Sequence, residues 1–306
     1  MNFAVVISQL LNGLQFGALL FLLAAGLTLV FGIMSFVNLA HGSLYMLGAY
    51  FSVTAFQLTG SFAIAMLAAI GGCVLLGIVI ERFAVSRLYR RHHLDHVLAT
   101  FGMVLFFNEA ARIIWGPQPQ FLPVPALLDG TVDIFGLSYP SYRFAIIAAG
   151  LMVAAGAHWL MNGTRLGMLI RAGAVNPAMV GALGVNIRLL NAMLFALGAG
   201  MAGLAGVMAG PIVAVQSGMG ETVLIATLVV IVIGGIGSVR GAFLGALIVG
   251  VADTLGRALL PPLLRQGLSR DIADAAGPAL ASMLIYVLMA IILAFRPQGL
   301  FPARSK

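Results

Sequence analysis

Charge is what this chain has least of. Lysine and arginine together number 16 and aspartate and glutamate 9 in 306 residues, 8% of the total, against 61% hydrophobic residues and a mean hydropathy of +1.09. A water-soluble domain of that length with so few charges would expose large apolar patches, so the composition is that of a polytopic membrane protein, all-α. Cysteine is reduced to Cys73, inside an apolar segment, which leaves out both a disulfide framework and a cysteine metal site. Lysine occurs once, at Lys306. The segment Gly234-Gly-Ile-Gly237-Ser-Val-Arg240-Gly241 therefore lacks the lysine of a phosphate-binding loop, its spacing is not the dinucleotide fingerprint, and it reads as a tight glycine turn between two spans. No nucleophile, base and orienting group stand at a recognisable spacing, and no metal-ligand cluster is present in the sequence, so nothing points to an enzyme or to a resident cofactor.

What is there in abundance is apolar sequence in runs of membrane-spanning length. Spans are expected near 8 to 33, 42 to 58, 61 to 80, 97 to 115, 141 to 161, 191 to 210, 221 to 236, 240 to 256 and 276 to 295, within a range of about 8–10 transmembrane helices in one transmembrane domain over 1–306. No separate signal peptide is read at the start, and the first span is expected to insert itself. The +7 formal charge is carried by arginine, and in a membrane chain its placement matters more than its total. With the segment 81 to 96 inside, Arg82, Arg87, Arg90, Arg91, Arg165, Arg171, Arg188, Arg240, Arg296, Arg304 and Lys306 face the cytoplasm, and Arg112, Arg143, Arg257, Arg265 and Arg270 face out. That asymmetry predicts an external N-terminus and a cytoplasmic C-terminus. It replaces a nucleic-acid reading of the basic charge.

The apolar run from Gly13 to Phe56 is interrupted by Ser35-Phe-Val-Asn38-Leu-Ala-His41-Gly42-Ser43, a broken-helix region near residues 35–43. The break is either a turn between two spans, lying at the interface, or a deeper feature of a transport path. Asn38, His41 and Ser43 are its candidate path-lining residues, with satisfaction of freed backbone groups as the other role open to them. The outer segment 116 to 140 holds Pro117, Pro119, Pro123, Pro125 and Pro140, which excludes a helix through it; it either docks a partner or caps the bundle. Small residues crowd Gly198 to Gly210, and Gly241 with Gly245 repeats the four-residue spacing, predicting either static close helix packing or helices that slide against each other or a second subunit. Glu109 with Arg112 and Asp253 with Arg257 stand three and four apart and are expected to pair. Glu221 opens a span, where a carboxylate suits the positive helix end.

The segment Arg165 to Asn191 is long for a loop. Asn176 suits a helix N-cap, Pro177 the first helical position and Gly184 the left-handed residue after a helix end, predicting a two-turn helix over 177–183. Met179, Val180 and Leu183 are expected on one side of it. Such a helix on the cytoplasmic face either docks a partner or lies flat on the membrane surface.

The stretch Gly26-Leu-Thr-Leu-Val-Phe-Gly-Ile-Met-Ser-Phe-Val-Asn-Leu-Ala-His-Gly-Ser-Leu-Tyr-Met-Leu-Gly-Ala-Tyr50 resembles the signature of LivH-type permease subunits of branched-chain amino acid ABC transporters. Arg171-Ala-Gly-Ala-Val-Asn-Pro-Ala-Met-Val-Gly-Ala-Leu-Gly-Val-Asn-Ile187 resembles their cytoplasmic coupling segment, and Val229 to Gly250 and Phe295-Arg-Pro-Gln-Gly-Leu-Phe301 match as well. The resemblance covers essentially the whole chain. It implies a translocation subunit in the bacterial inner membrane, paired with a second LivM-like permease, two LivG- and LivF-like ATPases that bind ATP and Mg, and a periplasmic solute-binding protein. It assigns ATPase coupling to Arg171, Asn176, Pro177, Met179, Val180, Leu183 and Gly184. Leucine, isoleucine and valine are the implied solutes. A proton-coupled secondary transporter, which would draw on His41 with Glu109 or Glu221, and a urea or amide permease are the rivals.

Overall fold

The computed structural model describes residues 3–34, 38–89, 91–134 and 136–301. In chain order its helices are α1 (Phe3–Met34), α2 (His41–Thr59), α3 (Phe62–Ile80), which continues through a π-turn (Glu81–Val85) into the short α4 (Ser86–Leu88), α5 (His93–Trp115) and α6 (Ser141–Gly163). They are followed by α7 (Arg165–Val175), α8 (Pro177–Ala182), α9 (Ile187–Ala209), α10 (Met219–Gly234), α11 (Val239–Leu264) and α12 (Arg270–Phe295). Each of the nine expected spans is one of these helices. Seven of the described helices are long and apolar enough to cross a bilayer; α10 is apolar but shorter, and α2 is diluted by His41, Ser43, Ser52 and Thr54. Helices outrun the expected spans where the chain stays helical beyond the hydrocarbon: α9 starts at Ile187, α11 runs on to Leu264 and α12 starts at Arg270. Hydropathy marks where lipid ends, not where a helix does.

α1 is apolar all round, and such a helix belongs in the interior. Leu20 to Ala25 are fully buried in it, walled by α6, α9, α10 and α11. In a membrane the gain on packing comes from close contact rather than from leaving water, and the small residues provide it. A Cβ on Gly206 of α9 would stand 2.2 Å from the Tyr45 carbonyl oxygen of α2, and one on Gly245 of α11 would stand 2.6 Å from the Val230 carbonyl oxygen of α10. The Gly234–Gly241 segment is the expected turn: α10 ends at Gly234, Gly235 and Gly237 take φ of 105° and 79°, and α11 begins at Val239 with the Ser238 hydroxyl accepting from the Gly241 N–H.

The proline-rich segment forms an antiparallel hairpin, β1 (Thr131–Ile134) with β2 (Leu137–Pro140), in the register Val132 opposite Tyr139. It ties down the start of α1, since the Tyr139 hydroxyl donates to Asn12 Oδ1 at 3.0 Å and Arg143 reaches the same oxygen. Gln120 bridges Val215 just before α10. This hairpin face of the bundle thus gathers the N-terminal end of α1 and the 116–140 and 210–218 connections. The C-terminal segment lies at the other end of α10, where the Leu300 and Phe301 N–H groups donate to the carbonyls of Ile233 and Gly234.

Candidate functional site

Three polar features stand out from an otherwise apolar bundle, and the first is the helix break. α1 stops at Met34 and α2 starts at His41; Ser35, Phe36 and Val37 fall outside the described residues. Helix starts leave N–H groups without partners, which is costly in apolar surroundings. Asn38 supplies the remedy: its Oδ1 accepts the Ala40 N–H at 3.1 Å and its carbonyl accepts the His41 N–H at 3.2 Å. The His41 ring lies against the Leu23 carbonyl, and its Nε2 is 3.0 Å from where a Cβ on Gly26 would sit. Gly26 is eight residues from the end of α1 and packs on Gly198, eleven residues from the start of α9. α2 therefore begins about 12 to 16 Å inward of those helix ends, inside the bundle rather than at its rim.

Asn38, His41 and Ser43 are all buried, and Asn38 Nδ2, His41 Nε2 and Ser43 Oγ have no hydrogen-bond partner among the described residues. α10 begins at the same level. A Cβ on Gly42 would lie 2.6 Å from the Gly220 carbonyl oxygen, so the first turns of α2 and α10 meet backbone to backbone inside the bundle.

The second feature is the segment 165–191, which is mostly helical rather than a long loop. Thr164 Oγ1 accepts from the Gly167 N–H at 3.1 Å and starts α7, an element the sequence reading missed although Thr164 is a good N-cap. Asn176 Oδ1 accepts from the Met179 N–H at 2.9 Å, Pro177 takes the first position of α8, and Gly184 has φ of +88°. The capping chemistry is as expected, with α8 ending at Ala182 and Leu183 in the capping position. The expected common side for Met179, Val180 and Leu183 needs correction: Met179 and Leu183 are 58% and 77% exposed, whereas Val180 is 6% exposed and anchors the helix. Met179 and Val180 are one residue and so about 100° apart on the helix, and Leu183, at the cap beyond Ala182, no longer follows the helical spacing that would set it beside Val180. Arg171 is exposed on α7.

The third feature is a set of charged residues on the helices. Arg112 pairs with Glu109 at 3.4 Å, and Arg257 grips Asp253 with two hydrogen bonds of 2.8 and 3.0 Å. Glu221 sits in the first turn of α10 and accepts from Asn108 Nδ2 on α5. That partnership spans 113 positions and no local spacing announces it.

Together these features define a multi-pass α-helical membrane protein with a re-entrant helix start in its interior and a capped helix pair on one face. The family model for the permease component of branched-chain amino acid transport systems matches residues 9–293. Similar proteins include BraD, a high-affinity branched-chain amino acid transport system permease protein of Pseudomonas aeruginosa, 31% identical over 96% of this chain and 95% of that one. LivH of Escherichia coli, bearing the same description, is 29% identical over 97% of this chain and 98% of its own length. A probable branched-chain amino acid transport permease protein LivH of Methanocaldococcus jannaschii is 26% identical over 78% of this chain and 76% of its own. The chain belongs to the family of permease components of branched-chain amino acid transport systems.

Proposed function

We propose that the chain is the translocation subunit of an ATP-driven importer carrying leucine, isoleucine and valine across the inner membrane. The observation that carries this reading is the match to transport permeases along nearly the full length of both chains. The protein is a transport component and not an enzyme; ATP and Mg are bound by separate ATPase subunits, in keeping with a lysine content of one, at Lys306. One of the two ATPase subunits docks on α7 and α8, where Met179 and Leu183 present apolar surface and Arg171 an exposed guanidinium. A second, LivM-like permease completes the pore, and a solute-binding protein delivers the amino acid to the hairpin face.

The arginine distribution supports an external hairpin face and N-terminus and a cytoplasmic α7–α8 and C-terminus. Closure of the ATPases moves α8, which is held to the bundle by buried Val180, and rocks the spans between inward-open and outward-open arrangements. The backbone contact between Gly42 and Gly220, where two helices begin inside the bundle, is the place such rocking would open. Asn38, His41 and Ser43 shape this joint from within. Co-expression with ATPase and binding-protein subunits tests the reading: a stable complex whose ATP hydrolysis rises when leucine-loaded binding protein is added is expected. ATP hydrolysis indifferent to loaded binding protein would refute it.

A further inference from the structure

The surface of α5 changes character along its length. Phe101, Leu105 and Phe106 are exposed apolar residues on its inner part and Ile113 and Ile114 on its outer part, as befits contact with hydrocarbon. Between them come Asn108, Glu109 and Arg112, at least partly exposed. Asn108 donates to the Glu221 carboxylate, and its own carbonyl accepts the Ser217 hydroxyl at 3.0 Å. Asn108 is seven residues before Trp115, the end of α5, so the Glu221 carboxylate lies about 10 Å inward of that helix end.

Glu221 is exposed and pairs with no cation among the described residues, since Arg112 is engaged by Glu109. The positive end of α10 accounts for a carboxylate at this position; it does not account for one facing outward with apolar side chains above and below. Charged groups at such depth face a water-filled cavity or other protein, not lipid. The neighbouring residue Gly220 is the one that meets Gly42 of the helix break. A polar strip therefore descends α5 from Arg112 through Asn108 to Glu221 and ends beside the joint between α2 and α10. One amide donor also leaves most of the acceptor capacity of the carboxylate unused.

We propose that Glu221 lines the outer half of the translocation path and receives the ammonium group of the amino acid in transit. This rests on the importer reading above. The α-ammonium is the cation common to all amino acid solutes, and an unpaired carboxylate beside the opening joint is placed to hold it while the apolar side chain passes.

The test uses the assembled transporter with Cys73→Ser, in right-side-out vesicles, carrying single Glu221→Cys, Thr222→Cys or Asn108→Cys changes. The control is Leu67→Cys, an exposed apolar position on α3 about five residues from the same face. A membrane-impermeant cationic methanethiosulfonate is expected to modify the Glu221→Cys and Asn108→Cys forms at least tenfold faster than Leu67→Cys, and leucine-loaded binding protein to slow it. Glu221→Gln is expected to lower uptake at least tenfold with basal ATP hydrolysis retained, and Glu221→Asp to restore part of it. Modification of the Glu221→Cys form no faster than that of Leu67→Cys overturns the proposal, as does loss of subunit association in Glu221→Gln, which would assign the carboxylate to a cation of the second permease. If the parent complex shows no ATP-driven uptake, the importer reading fails; if the parent transports and the Glu221→Cys form is unreactive, only this proposal fails.

Discussion

Replacing Met179 by glutamate alters one exposed side chain of α8 and leaves the Asn176 cap, Pro177 and buried Val180 in place. Substitutions at exposed positions without special roles shift stability by about 0.5 kcal/mol or less, so insertion and folding should be unaffected. Docking is another matter. Burying a whole methionine side chain is worth about 1.5 to 3 kcal/mol, and with 58% of Met179 still exposed roughly half of that is left to be gained against an ATPase subunit. Losing it, and placing a carboxylate in an apolar contact, costs at least about 1.4 kcal/mol, a tenfold weaker association. Val180→Glu should behave differently, because a charge in place of a buried side chain unfolds the α8 turn itself. The assay is paired: ATPase subunits retained on the purified permease, and leucine uptake by proteoliposomes containing the full complex. Met179→Glu should lose both while amide exchange in 179–182 stays at the parent rate; Val180→Glu should also speed that exchange. Full retention and full uptake in Met179→Glu would refute the coupling role of α8.

Two further outcomes follow from packing and charge. Gly206→Leu cannot be accommodated beside the Tyr45 carbonyl, 2.2 Å from the Cβ position, and should destabilise the bundle by about 3 kcal/mol or more, read as a lower aggregation temperature in detergent; Gly71→Leu, with nothing within 4 Å, should leave it unchanged. Arg257→Ala strands the buried Asp253 carboxylate and should cost about 2 kcal/mol, whereas Asp253→Asn combined with Arg257→Gln should recover most of it in the same thermal assay.

The helices were legible because each is a run of apolar residues of bilayer length, and the short α8 because Asn176, Pro177 and Gly184 each fit one backbone position. The paired charges at 109 and 112 and at 253 and 257 were legible for the same local reason. α7 was not: its Arg165, Arg171 and glycines blur the apolar pattern, and only Thr164 marks its start. Val180 was misplaced because a two-turn helix has too few residues to define a face. The depth of the break at Asn38–His41 depends on Gly26, Gly198 and Gly220, residues far away in sequence that admit the α2 start into the interior. The bond between Asn108 and Glu221 was hidden for the same reason, and with it the polar strip on α5.

The driving force of transport is the most direct test. Proteoliposomes holding the permease with its ATPase and binding-protein partners are given labelled leucine under two conditions, ATP without a proton gradient and a proton gradient without ATP. Saturable uptake in the first and none in the second is predicted; uptake that needs only the gradient, with His41, Glu109 or Glu221 as its proton carriers, would contradict the assignment of this chain to an ATP-driven importer.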